Sequence, residues 1–213
     1  MYQICGLFNG LCNAILWTAG LGTTHLIIYR KFKKYVYSSY INAGLFQIFL
    51  TIWTVYNIYN RENSYAIDNS MLGYYIYDTI SSFLDPSGIQ YSYIIHHTVA
   101  IYMIYLNNTY QFSPFVYRNI LYFLMESSAG MLNWMKLDES KYKFKVLTYS
   151  VFGITRCIIY PICIINYVNG TYKTIWFHDV HLVLLSIIYI ASCYSLTKWV
   201  YELKKFDLKK DYI

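Results

Sequence analysis

The chain has 213 residues, 57% hydrophobic, 21% aromatic and only 13% charged, with a formal net charge of +6. A soluble domain carries about 25% charged residues and uses them to cover its surface, so this composition argues against one. The five cysteines (Cys5, Cys12, Cys157, Cys163 and Cys193) form no CxxC pair, which argues against a zinc site or a disulfide framework. They read as small core residues. No basic patch with interleaved aromatics points to nucleic acid.

Charges are segregated along the chain. None falls in 1–29, 35–60 or 86–117, and each stretch exceeds the roughly 20 apolar residues that a bilayer-spanning helix needs. Lipid offers no partner to a free backbone amide, so each span must be helical. The expected fold is all-α, a polytopic membrane helix bundle of about seven transmembrane helices. In chain order they are 4–29, 36–59, 70–84, 90–106, 113–135, 146–168 and 175–200. Helix one has its basic cluster after the apolar run, the reverse of a secretory signal, and reads as a retained span. Helices three and four are separated by Asp85-Pro86-Ser87-Gly88, a turn sequence.

Loop charge tests this count. Four basic residues lie in Arg30–Lys34, four in Lys136–Lys145 and five from Lys198 onward, thirteen of the 17 in the chain. Seven spans put all thirteen on one side, leaving Arg61 and Lys173 on the other and Arg118 and Arg156 within helices. The positive-inside rule then places the N-terminus outside and the tail in the cytosol. Anionic headgroups account for the net positive charge. The sequons at Asn107 and Asn169 fall in short outer loops and are expected to stay unmodified.

Ionisable residues within spans cost about 2.5–3.5 kcal/mol on insertion scales and so tend to face the protein interior. They are Asp78 on helix three, His96 and His97 on helix four, Glu126 on helix five, Arg156 on helix six, and His178, Asp179 and His181 opening helix seven. On helix five, Asn119, Tyr122, Glu126, Gly130 and Asn133 fall at offsets of 0, 3, 7, 11 and 14, one helical face. Such a mixture of polar and small residues admits a neighbouring helix or lines a polar cavity. Tyr74, Asp78, Ser81 and Asp85 make a similar face on helix three. Adjacent histidines point about 100° apart on a helix, so one is expected to face a cavity while the other packs between helices. Three readings stand side by side. The charges form structural pairs, such as Asp78–His or Glu126–Arg156; they hold a metal, although adjacent histidines lack the usual ligand spacing; or they line a cavity for a lipid-like molecule.

Gly73-Tyr74-Tyr75-Ile76-Tyr77-Asp78, then His96-His97, then Glu126-Ser127-Ser128 and Asn133, with Arg156, Pro161 and a Lys-rich tail, resemble the TLC-domain family. That family includes the ceramide synthases and the translocating-chain-associating membrane protein, and this chain is most similar to its small members. The resemblance implies a six-helix barrel plus a leading span: 1–30 as that span, 31–206 as the domain and 207–213 as a cytosolic tail. No metal and no cofactor are expected. The resemblance also implies membrane lipids as partners and the endoplasmic reticulum or a related endomembrane as compartment. Two functions follow. One is a non-enzymatic protein that binds, senses or organises lipid through a cavity lined by Glu126, Asn133, Arg156 and Asn119. The other is an acyl-CoA-dependent N-acyltransferase acting on a sphingoid base or related amine, with His96 or His97 as base, Asp78 orienting it and Glu126 as a partner. The second His-Asp motif of ceramide synthases is absent, and Met125-Glu126-Ser127-Ser128 stands in its place. Asn42 stands where the family often has a histidine.

Overall fold

The structure is a computed structural model and describes residues 2–60, 65–85, 91–110, 115–138, 142–163, 165 and 176–210. These form helices α1 (Tyr2–Phe32), α2 (Tyr35–Asn60), α3 (Tyr65–Phe83), α4 (Tyr91–Tyr110), α5 (Phe115–Leu137), α6 (Tyr142–Phe152) and α7 (Trp176–Lys210). Helix α6 runs on through a π-helical segment, Gly153–Ile159, to Cys163. The described fold is all-helical. Among the described residues, three helical stretches are long and apolar enough to cross a membrane: Gly10–Phe32, Tyr35–Asn60 and Tyr142–Cys163.

Most helix limits lie within four residues of those expected, the expected end of helix six at 168 lies outside the described residues, and two limits differ by more. Helix α3 starts five residues earlier than expected, which brings Asp68 inside it and buries it fully. Helix α7 continues to Lys210, through most of the segment expected to be a separate tail. The turn after Asp85, the sequon at Asn169, and Arg61 and Lys173 lie outside the described residues. So do the side chains of Asn107, Arg118, His178, Asp179 and His181.

Helix α1 packs on α2 and α3, while α4, α3, α2, α5, α6 and α7 follow one another in an arc. Close approach depends on two glycines. A Cβ on Gly73 would lie 2.6 Å from the Ala14 carbonyl oxygen, so α3 and α1 nearly touch, and the Thr18 hydroxyl donates to the Gly73 carbonyl at 3.0 Å. A Cβ on Gly44 would lie 2.8 Å from the Trp134 indole nitrogen, which sets the fit of α5 against α2. Between α1 and α2 only Lys33 and Lys34 intervene. Lys33 takes a positive φ of 58° and donates its backbone N–H to Tyr29, a left-handed helix ending usually given to glycine.

Polarity is inverted relative to a soluble protein. Leu16, Ile27, Ile52, Leu84, Ile162 and Ile190 are each more than half exposed, whereas His25, Asn42, Gln47, Asp68, Asp78, His97, Glu126 and Arg156 are buried. Threonine hydroxyls bond back to their own helices, as Thr54 does to the Leu50 carbonyl at 2.8 Å, so their polarity is satisfied without water.

Candidate functional site

Six helices, α2 to α7, line one cavity of about 640 Å³, inside the ~300–1,000 Å³ range of small-molecule sites. Its deep wall carries Gln47, Tyr75, His97, Glu126 and Arg156; its other limit is Tyr35, Asp85, Lys136, Lys145 and Glu202. These last five lie near the helix ends beside the basic connections. Between the two ends the wall is mainly apolar, with Ala43, Leu132, Met135 and Phe152. Trp199 stacks on Tyr149 with ring centroids 5.1 Å apart and meets Phe152 edge-on at 5.0 Å. The Lys136 ammonium lies 4.8 Å from the centroid of the Tyr40 ring, within cation–π range.

Two polar clusters share the deep wall. In the first, His97 Nε2 lies 3.3 Å from Asp78 Oδ2, joining α4 to α3. In the second, Glu126 accepts at both oxygens: the Tyr75 hydroxyl donates to Oε1 at 2.9 Å and Gln47 Nε2 to Oε2 at 3.2 Å. Asn133 Nδ2 donates to Gln47 Oε1 at 2.8 Å, so α2 and α5 share one hydrogen-bonded chain. A buried carboxylate costs several kcal/mol without such partners, and these donors hold Glu126 facing the cavity.

The structure corrects two expected details. Arg156 does not pair directly with Glu126: its Nε donates to the Ser128 hydroxyl at 3.0 Å and its Nη2 to the Met125 carbonyl at 2.5 Å. No hydrogen bond or ion pair joins Glu126 to Arg156 among the described residues. The guanidinium therefore clasps α5 one turn around, through backbone and hydroxyl. Both histidines, not one, line the cavity, with ring centroids 5.5 Å apart. The cavity is wide enough at α4 to take in both directions. Asp78, His96, His97, Glu126, Asn133 and Arg156 therefore converge on one space, while the Asn119 side chain lies outside the described residues. No group of three His, Cys, Asp or Glu side chains among the described residues is placed so that it could hold a metal ion.

Three participants were not anticipated. Tyr75 lies inside the Gly73–Asp78 run and Gln47 is the hub of the Glu126 chain. A signal for Gln47 exists: with Thr54 and Asn57 it falls at offsets of 0, 7 and 10 on one helical face, and all three are buried. His25 is the third. It is 5% exposed, its Nδ1 lies 2.6 Å from the Tyr77 hydroxyl, and it ties α1 to α3 behind the cavity. Asn42 donates to the Leu21 carbonyl at 3.0 Å, also toward α1. The cysteines are less buried than expected: Cys12 is exposed and Cys157, Cys163 and Cys193 are half-buried.

No protein-family model, curated protein or solved structure matches this chain.

Proposed function

We propose that this chain is a seven-span membrane protein that binds, senses or organises a lipid-like amphiphile in the cavity enclosed by α2 to α7. One observation carries the reading: a single cavity pairs a polar deep wall, built on Asp78, His97 and Glu126, with apolar sides. That layout suits a molecule with a polar head and a hydrocarbon chain, since apolar sites fix orientation with a few placed polar groups. The outward apolar residues and the resemblance to TLC-domain proteins support the membrane setting. The charge asymmetry supports a cytosolic placement for the end that carries Lys136 and Lys145, and the resemblance supports the endoplasmic reticulum. The test is native mass spectrometry of protein purified in mild detergent. Wild type is expected to retain a bound amphiphile and Glu126→Leu to lose it. Wild type that is folded yet free of any amphiphile, even after incubation with total membrane lipid, would overturn the reading.

A second reading, N-acyl transfer from acyl-CoA, is favoured by the contact between His97 and Asp78 within the cavity. A carboxylate beside an imidazole fixes its tautomer and orientation, and a general base typically contributes ~100- to 10,000-fold in rate. In that reaction the amine nitrogen attacks the thioester carbonyl and the C–S bond breaks. His97 takes the amine proton and returns it to the departing sulfur. Purified protein inert toward acyl-CoA across a range of amine acceptors would sink this reading and leave the first standing.

A further inference from the structure

The arc of helices around the cavity has two ends, α4 and α7. Helix α4 packs its backbone closely on α3, and α7 on α6 and its π-helical continuation. Where α4 and α7 face each other they meet through side chains. Val99 and Met103 of α4 join Ile188 and Tyr189 of α7 in one apolar cluster with Tyr160. That cluster closes the seam on the side away from the basic helix ends.

One turn nearer the basic end the seam changes character. Ile95 lies four residues before Val99, and Ala191 three after Ile188, each about one helical turn. Ile95 and Ala191 at that level, and Ile187 next to Ile188, line the cavity. Yet Ile95 is 65% and Ile187 53% exposed, and Ala191 is exposed as well. Residues that face both an interior space and the outside form a rim. The three rim residues are apolar, and among the exposed residues beside them on the outer surface are the large hydrophobics Ile190 and Tyr194.

We infer that the gap between α4 and α7, bordered by Ile95, Ile187 and Ala191, is a lateral portal through which the acyl chain of a membrane lipid passes between bilayer and cavity. The inference rests on the cavity reading above and adds the route. An apolar rim admits a hydrocarbon chain without desolvating any polar group, whereas passage past Lys136, Lys145, Asp85 and Glu202 would drag that chain through a charged ring. The route also brings a chain against Phe152 and Trp199 while the polar head stays within reach of the deep wall.

The experiment uses the full chain in proteoliposomes containing a phospholipid with a photoactivatable diazirine midway along one acyl chain. Crosslinked peptides are mapped by mass spectrometry after short intervals. In wild type the label is expected on inner-wall residues such as Leu132, Phe152 and Trp199, as well as on outer positions such as Leu16 and Ile52. Ala191→Trp, which fills the rim, is expected to slow inner labelling at least about fivefold, and Ile95→Ala, which widens it, to speed inner labelling about twofold, because a gating step then sets the rate. Outer labelling should stay constant in both. Unchanged inner labelling in both variants would overturn the portal and leave the cavity reading intact. Wild type labelled only on its outer positions would overturn portal and cavity reading together. If Ala191→Trp fails to fold, judged by its melting temperature in detergent, Ile95→Ala alone decides.

Discussion

Glu126 is held by donors from two other helices, and that arrangement makes its replacement informative. In Glu126→Leu the Tyr75 hydroxyl loses its acceptor and Gln47 Nε2 keeps only its long contact to the Tyr74 hydroxyl at 3.4 Å. Each buried group left unpaired costs about 1–3 kcal/mol, so the leucine variant is expected to melt at clearly lower temperature in detergent. Glu126→Gln keeps an acceptor for Tyr75 and should lose much less. Equal melting of the two variants would show that the hydrogen bonds at Glu126 contribute nothing. His97 offers a different contrast. His97→Ala removes both the Asp78 contact and ring contacts with Tyr75 and His96, while Asp78→Asn keeps an acceptor of similar shape and removes only the charge. If the pair serves structure, Asp78→Asn should melt within about 1 kcal/mol of wild type and His97→Ala well below it. If it serves acyl transfer, both should abolish turnover, Asp78→Asn without loss of stability. Asp78, His97 and Glu126 were legible in the sequence because a charge in an apolar span is expensive and conspicuous. Tyr75 was not: among 27 tyrosines nothing singles out the one that donates to Glu126.

Helices differ in how they meet, and small residues and one irregular turn decide this. A side chain on Gly73 would strike backbone, the Ala14 carbonyl, which cannot swing aside as a flexible side chain can. Gly73→Val is therefore expected to destabilise by about 1–3 kcal/mol through overpacking, whereas valine at Gly20, whose Cβ would meet nothing within 4 Å, should cost less than about 1 kcal/mol. Thermal melting of the two variants makes the comparison. The π-helical turns over Gly153–Ile159 lie just before Pro161. Proline cannot donate to the carbonyl four residues back, and its ring crowds that carbonyl. A wider turn relieves the clash, and it carries Arg156 toward Ser128 and Met125 on α5. Arginine and proline five residues apart were visible in the sequence, but the change of helical pitch between them was not. The pairing of α6 with α7 has a direct check. The Cys157 and Cys193 side chains are near neighbours across α6 and α7, so copper-phenanthroline is expected to oxidise them to an intramolecular disulfide. Peptide mapping that finds both thiols still free under conditions that oxidise exposed Cys12 would mean that α6 and α7 pack otherwise.

At the scale of the molecule, the proposed seven spans would put thirteen basic residues on one side, and the positive-inside rule then predicts a single orientation. Tags at the two termini in sealed microsomes are expected to differ, the N-terminal tag protected from external protease and the C-terminal tag digested. Matching behaviour of the two tags would mean an even number of spans. This part of the argument needs only the sequence. Apolar length and charge spacing act locally, along the chain, so they announce helices, their order and the residues that are costly to place in lipid. What the tertiary structure decided is which of those residues meet. Asp78 and His97 are 19 positions apart and Gln47 and Glu126 are 79 apart, and no local property of either residue specifies its partner. Helix packing does so, through Gly73, Gly44 and the π-turn before Pro161. Packing likewise set Arg156 on Ser128 rather than on Glu126, and left α4 and α7 facing each other across a seam of side chains. A cavity is the space that six helices fail to fill, so its existence and its rim appear only once all six are in place.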